Sequence, residues 1–551
     1  MKILGLHGGV TQLQNEASAT LLVDGNVIAA CEEERFMRQK GGFGLLPIMS
    51  IQACLETANL DITDIDFIAH SGSQHQDLRG RISRYLIHHF GYAPPIDMID
   101  HQMAHLSSAY FQSGLYHATC ISYDGYGDNS SMAIASAFGN TIKILSREGI
   151  NNSLGRFYSA ITSFLGFTPQ ESEYKIMGLA PYGRKTLSLD DIISVNDDTF
   201  SVDSDFFVGY GKSAQSTNRS EAITSRFEPW YSNEMVSLLG EPRRKGDEVV
   251  QFHMDVAHVA QKAFENAIIT TVRQAVAKTG ISDVVLAGGC ALNCKANGLI
   301  ASMNEVSSLF VQPAASDRGL SLGSALACFH SRGLTSNYIP KKLEHVFWGP
   351  IYSEEYIRDV LKSTCQCFSS CTDPALSAAR DLADGLIVGW FQGRSEFGPR
   401  ALGHRSILAN PVNPEAKKIL NAKVKYREEF RPFAPAVTSE KSSVYFESEH
   451  ATSFMTTAVK VKSDYVNILP STTHVDKTAR VQVVKHSIDP LFYDLIKNLG
   501  KMTGYEVVLN TSFNVMGEPI VETPRDALRT FWASGVDVLY IESYIIRKST
   551  F

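Results

Sequence analysis

The chain has 551 residues, 44% of them apolar and 20% charged, and at about 150 residues per domain this length exceeds a single core. Fifty-one Lys and Arg against 58 Asp and Glu give a net charge of -7, which excludes a nucleic-acid binder working through bulk positive charge but leaves room for a local basic pocket. No apolar run approaches the roughly 18 residues of a membrane span, and nine scattered cysteines suit reduced thiols in a cytoplasmic enzyme.

In chain order, Ile3–Leu6 and Ala19–Val23 read as strands, and Asp24-Gly25-Asn26 turns the chain into a third at Val27–Cys31. Pro47–Leu60 places Ile48, Ile51, Leu55 and Ala58 on one helical face, and Asp66–Ala69 is a strand. The pattern restarts at Cys120–Asp128 with a strand running into a glycine-rich acidic turn, then Ser131–Phe138, Gly139-Asn140 and Thr141–Leu145. Two rounds of strand, turn, strand, turn, strand suggest a duplicated unit. Val249–Lys278 is a long helix stopped by Gly280, followed by a buried strand at Asp283–Leu286, the Gly288-Gly289 turn and a helix at Ala291–Ser302. Periodicity fades around Thr335–Lys342, which sets the main boundary, and residues 185–250 read as a polar insertion.

Four constellations could carry chemistry. His101 and His105, spaced i, i+4, stack two imidazoles on one helical face behind a candidate cap at Asp100, and Asp124 and Asp317 are carboxylates able to complete a metal site. Such an N/O set suits iron, manganese or zinc; the plainer alternative makes Asp124 a turn residue and Asp317 a helix cap. Gly288 and Gly289, with Asn293 beyond, form a strand–turn–helix junction whose N–H groups can face an anion. Gln392–Ser406 packs Arg394, Arg400 and Arg405 among glycines, with Lys423, Lys425, Arg427 and Arg431 following, and reads as a phosphate pocket. Leu509–Asn514 ends a strand in small hydroxyl and amide groups. Cys365-Gln366-Cys367 with Cys371 lacks a second ligand pair and reads as incidental.

The duplicated strand pattern resembles the actin, heat-shock ATPase and sugar-kinase superfamily. More specifically, Ala17–Asp24, Glu32–Phe36, the His101/His105 pair, Glu173–Gly183, Leu286–Asn293, Ser316–Gly323, Gly393–Ser406, Val424–Pro435 and Asn510–Pro519 occur in the order of the O-carbamoyltransferases of antibiotic and nodulation-factor biosynthesis, the NodU/CmcH/TobZ type. That resemblance implies an α/β protein of two domains. Residues 1–345 would be a two-lobed, actin-like (ASKHA, Kae-like) transfer domain, and 346–551 a YrdC-like domain forming carbamoyl adenylate from carbamoyl phosphate and ATP. A hydroxylated small molecule would accept the carbamoyl group.

By position, the resemblance makes His101, His105, Asp124 and Asp317 ligands of Fe(II) or another divalent transition metal, with Mg2+ accompanying ATP. Arg400, Lys425, Arg431, Arg480, Asn510 and Ser512 would bind carbamoyl phosphate and nucleotide, joined by Lys175, Gly288, Gly289 and Asn293. Lys40 would lie near the transfer centre. One departure stands out: the family commonly has His-Asp-Ala-Ser where this chain has Asn15-Glu16-Ala17-Ser18. Asn15 cannot act as a general base, so Glu16 or His7 takes that role, or the acceptor is unusual, or transfer is impaired. Threonylcarbamoyl-adenosine synthesis on tRNA and a non-catalytic nucleotide-binding relative are the alternatives. The expected partners include no nucleic acid and no membrane, and the oligomeric state is open, a homodimer among the options.

Overall fold

The computed structural model describes residues 1–9, 15–75, 77–208, 229–333, 340–364, 367–447, 449–450 and 452–548. The boundary signal at Thr335–Asn337, Cys365-Gln366 and residues 209–228 of the polar insertion lie outside them. Among the described residues no helix is long and apolar enough to cross a membrane. The chain packs as two units: Met1–Glu34 with Gly41–Leu343, and Arg35–Lys40 with Glu344–Phe551.

The first unit contains the duplication. β1 (Lys2–His7), β2 (Ser18–Val23) and β3 (Asn26–Glu32) form an antiparallel meander, helix α1 (Ile48–Ala58) follows, and β4 (Phe67–Ser71), α2 (Leu78–Phe90) and β5 (Ile96–Ile99) complete a sheet ordered β3-β2-β1-β4-β5. Helix α3 (His101–Ser113) leads to a second meander, β6 (His117–Gly127), β7 (Ser130–Phe138) and β8 (Thr141–Glu148). After α4 (Leu154–Phe164), α5 (Glu173–Leu179) and the long α6 (Gln251–Thr279), β9 (Asp283–Ala287), α7 (Cys294–Ala301) and β10 (Ser308–Val311) give a sheet ordered β10-β9-β6-β7-β8. Within each sheet the first strand pairs antiparallel with the second and parallel with the fourth, so the two lobes are one motif used twice. This is the actin-like arrangement. The helices after the last strands cross over. Helix α3, which follows the first sheet, packs on β6 and β9, and α8 (Leu320–His330), which follows the second, packs on β1, β2 and β4 and against α3. The two lobes therefore share a helical layer, and α3 starts inside it.

The expected helix over Ala291–Ser302 is interrupted. Gly289–Leu292 forms a 3-10 turn and α7 starts at Cys294, because the Asn293 side chain accepts the Ala296 N–H as an N-cap. Part of the polar insertion is structured, with an antiparallel ribbon pairing Ile193–Val195 with Phe200–Val202 and a short helix at Asn233–Leu239.

The second unit is built on one mixed sheet of eight strands. They are β11 (Ser369–Ser370), β12 (Val388–Phe391), β13 (Arg405–Ala409), β14 (Ala434–Thr438), β15 (Gln482–Val484), β16 (Val507–Ser512), β17 (Val538–Ile541) and β18 (Tyr544–Arg547). Their order is β11-β18-β17-β12-β13-β16-β14-β15. Period-2 alternation sends Phe391, Ile407, Leu509 and Leu539 to one face and Trp390, Leu408, Val508 and Tyr540 to the other. α9 (Glu354–Ser363) and α12 (Pro524–Trp532) cover the first face through Ile357 and Phe531, and α10 (Pro374–Ala383) and α11 (Pro490–Thr503) cover the second through Leu382 and Leu495. Helices cover both faces of the central strands, which suits the apolar stretches Val388–Phe391 and Val538–Ile541.

Candidate functional site

Asp100 caps α3 by accepting the Met103 N–H at 2.9 Å, and this starts the helix so that His101 and His105 share its inward face. Asp124 reaches the same point from the last part of β6, and Asp317 from the turn before α8. One ligand atom from each of the four lies within 4.8 Å of the others. His101 Nε2 is 3.0 Å from Asp124 Oδ2 and 3.6 Å from Asp317 Oδ1, and His105 Nε2 is 3.5 Å from Asp317 Oδ1. Both ring nitrogens of His105 and Oδ1 of Asp317 are buried with no hydrogen-bond partner. Buried polar atoms are almost always satisfied, so His105 Nε2 and Asp317 Oδ1, unpartnered and 3.5 Å apart, fit a cation held between them. Two imidazoles and two carboxylates are a donor set for a borderline or hard divalent ion.

The electrostatics agree. Burial disfavours charge on both imidazoles, yet the carboxylates outweigh it, raising His101 and pushing His105 up to about 9. Burial also opposes ionisation of Asp124, but the His101 hydrogen bond and the charge of the two histidines hold its carboxyl well below the usual range. Asp317 is raised by burial and by the charge of Asp124. Four groups this close share protons that a bound cation would displace.

The Gly288-Gly289 turn lies against this cluster. Gly288 has φ +88°, and a Cβ there would sit 1.9 Å from the Tyr123 carbonyl oxygen, so only glycine lets the loop reach the end of β6. The Gly289 N–H donates to Asp124 Oδ1 at 3.3 Å. Asn293, expected to meet a ligand, caps α7 and donates to Gln261 Oε1 at 3.0 Å. Lys175 holds its ammonium 4.8 Å from the centre of the Phe167 ring.

The expected base positions resolve differently. Burial favours a neutral Glu16, but the Arg318 guanidinium outweighs it and holds the carboxyl below its ordinary value. Glu16 accepts from both the backbone N–H of Arg318 and its guanidinium, which also reaches Glu32 Oε2 at 2.6 Å. An ion-paired carboxylate with a depressed pKa is a poor general base, and Glu16 instead anchors the residue after Asp317. Asn15 meets the His7 ring through its backbone. His7 is fully buried, with Nδ1 2.7 Å from Ser71 Oγ and Nε2 3.7 Å from Asp317 Oδ2. Burial, then the charges of His70, His101 and His105, keep it well below the usual histidine range, so it stands beside Asp317 as a neutral imidazole.

In the second unit, Lys425 is buried and its ammonium donates to Asn514 O at 2.9 Å, Asn514 Oδ1 at 2.8 Å and the Ser512 carbonyl. Burial, then the charges of Arg427, Arg431 and Lys40, push it well below the ordinary lysine range. Lys40, which the resemblance set beside the transfer centre, thus lies on a segment packed with the second unit. Arg35 pins that segment by donating to the Gly398 carbonyl at 2.7 Å, and Arg38 by donating to Pro519 O at 2.9 Å and Ile520 O at 2.6 Å. Arg400, Arg431 and Arg480 are half-buried. Ser512 Oγ donates to Asn514 Oδ1 at 2.7 Å, and Asn510 Nδ2 bonds Gln482 Oε1 at 2.8 Å and Ala401 O at 3.2 Å.

Two arginines of the run read as a phosphate pocket donate to the backbone instead. Arg394 donates to Gly349 O and Trp348 O, at 2.8 and 2.6 Å. Arg405 is fully buried over the Phe391 ring and donates to the carbonyls of Gln392, Gly393 and His404. These two hold the loop's shape. Asn514, the last residue of the polar strand end read from the sequence but not among the expected binding residues, accepts from the Lys425 ammonium through both its backbone and side-chain oxygens.

A duplicated actin-like unit carrying a buried two-His, two-Asp cluster, joined to an α/β unit with a buried cationic site, defines the class of protein. Family models described as Carbamoyltransferase N-terminus and Carbamoyltransferase C-terminus match residues 86–326 and 379–548, and the chain belongs to the carbamoyltransferase family. Nodulation protein NolNO of Sinorhizobium fredii is 35% identical over all of this chain and 83% of its own length. Nodulation protein NolO of Bradyrhizobium diazoefficiens is 36% identical over 82% of this chain and 79% of its own. The 3'-hydroxymethylcephem-O-carbamoyltransferase of Amycolatopsis lactamdurans is 34% identical over 48% of this chain and 46% of its own. The chain is accordingly a transferase enzyme.

Proposed function

We propose that, at the cationic site of the second unit, water hydrolyses carbamoyl phosphate to carbamate and phosphate and a carbamate oxygen then displaces pyrophosphate from the α-phosphorus of ATP to give carbamoyl adenylate, and that a hydroxyl of a small-molecule acceptor takes the carbamoyl group at the His101–His105–Asp124–Asp317 cluster. The observation that carries this reading is that cluster, four convergent ligands with orphaned buried atoms in a chain of this family. Carbamate is a poor electrophile, and adenylation gives it a leaving group. A divalent transition metal bound by the four residues would supply Lewis acidity to an oxygen of the carbamoyl donor.

The chain's own residues do the rest. The Gly289 N–H orients Asp124, His7 stands behind Asp317, and Glu16 fixes Arg318 and so the turn that carries Asp317. In the second unit, Lys425 and Arg431 bring charge to phosphate oxygens, while Ser512 and Asn514 hold the Lys425 ammonium in place. Attack of the acceptor oxygen on the carbamoyl carbon breaks the carbamoyl–phosphate ester bond and expels AMP, and the hydroxyl proton passes to the departing phosphate or to water, since Asn15 is not a base and Glu16 is ion-paired with Arg318. The test is incubation with labelled carbamoyl phosphate, ATP and a panel of hydroxylated natural products. Pyrophosphate release that requires both substrates, together with an acceptor heavier by one carbamoyl group, supports the reading. Binding of both substrates without pyrophosphate release overturns it.

A further inference from the structure

The hairpin joining β6 to β7 pairs Gly127 with Ser130 across a two-residue loop, Asp128-Asn129, with φ of 47° and 63°. Two left-handed residues in succession are the type I′ geometry, which favours glycine at the second central position; here neither position has it. What the turn keeps instead is a carboxylate. Asp128 is 6% exposed and accepts from four donors on two other segments. Oδ2 takes the Ser73 N–H at 2.9 Å, the Ser73 hydroxyl at 3.2 Å and the His101 N–H at 3.0 Å, while Oδ1 takes the Gln74 N–H at 3.4 Å. Ser73 and Gln74 follow β4 in the first lobe, Asp128 belongs to the second, and His101 opens α3 between them.

The same stretch of chain touches His101 twice more. Asp124 Oδ2 lies 3.0 Å from its Nε2, and Gly127 lies so close to the ring that a Cβ would come within 2.2 Å of it. Residues 124–128 thus hold the His101 ring at its outer nitrogen, its flank and its backbone.

We propose that Asp128 is a positioning residue of the transfer site, a latch that sets the His101 imidazole by tying its backbone and the 73–74 loop to one carboxylate. The proposal rests on the reading of the four-residue cluster as a metal centre. Removing the carboxylate frees the first residue of α3 and the loop of the opposite lobe together, while leaving all four ligands in the chain. Partners that orient a ligand typically change metal affinity by about 10- to 100-fold when removed.

The experiment is Co(II) titration of the metal-stripped full-length protein, read by affinity and by the visible d–d bands. Asp128→Ala is expected to weaken Co(II) binding by about 10- to 100-fold and to shift those bands. Asp128→Asn, which keeps a carbonyl oxygen for the His101 N–H, is expected to recover most of the loss, a rescue that general damage to the fold would not give. Wild-type affinity and bands in Asp128→Ala overturn the latch. Should that variant fail to fold, Ser73→Ala decides: a smaller fall in affinity in the same direction supports the latch, and no fall overturns it. His105→Ala separates the two readings. If it binds Co(II) like the wild type, the metal reading fails and the latch with it; if it is weakened while Asp128→Ala is not, only the latch fails.

Discussion

The two units each carry a polar constellation, and the two differ in what their atoms do. In the first unit, His101, His105, Asp124 and Asp317 converge, and three of their buried polar atoms have no hydrogen-bond partner. In the second, Arg394 comes from a run that looks richer in ligand-binding chemistry, yet it donates to the backbone carbonyls of Trp348 and Gly349. Residue type alone does not distinguish these cases. Unmet hydrogen-bonding capacity points outward to a ligand, and met capacity points inward to the scaffold.

The largest expected effect breaks the first constellation. His105→Ala removes one of four convergent ligands. Carbamoyl delivery to any acceptor is expected to fall by about 10²- to 10³-fold, the scale of losing one preorganised electrostatic group, while ATP- and carbamoyl phosphate-dependent pyrophosphate release persists. A pyrophosphate assay beside mass spectrometry of the acceptor checks both. Next, Arg431→Ala is expected to lower pyrophosphate release about ten- to hundredfold, the equivalent of one charge-assisted hydrogen bond of roughly 1.5–3 kcal/mol, and pre-formed carbamoyl adenylate should restore transfer. Equal loss of pyrophosphate release in both variants would show that the two sites act as one.

Arg394→Ala sharpens the contrast from the other side. It should destabilise the second unit by about 2 kcal/mol, seen in thermal unfolding, with the KM for carbamoyl phosphate unchanged. Glu16→Gln tests the reassignment of the expected base. The pH–rate profile of transfer should keep its midpoints while stability falls. The folded carboxyl lies below its ordinary 4.5, so its contribution is full above that value and lost as pH drops through the lower folded one. The stability gap between wild type and variant should therefore close in acid. The smallest effect is a proton count. Lys425 is depressed in the free protein and an arriving phosphate would raise it, so inorganic phosphate should bind with proton uptake at pH values between the two. Calorimetry in buffers of different ionisation enthalpy measures this, and Lys425→Met should abolish it.

Local pattern was legible wherever a short stretch of chain decides structure. The two meanders, the long α6, the cap at Asp100 and the i, i+4 histidines all follow from periodicity and turn chemistry within some twenty residues. Even the duplication could be read, because each lobe repeats the same local grammar of strand, turn and strand.

What the sequence by itself determined about this protein is its family, its duplicated first half and the identity of four candidate ligands. Tertiary structure decided the rest, because a side chain's role depends on which atoms far along the chain meet its own. Glu16 is quieted by Arg318, 302 residues away, and Arg38 is bound to carbonyls 481 and 482 residues away. Asn293, a ligand candidate by type, also caps a helix, and Asp128, only a turn carboxylate in the sequence, gathers donors from two distant segments. Burial raises the stakes of every such pairing, since a polar atom removed from water must find a partner wherever the fold brings one.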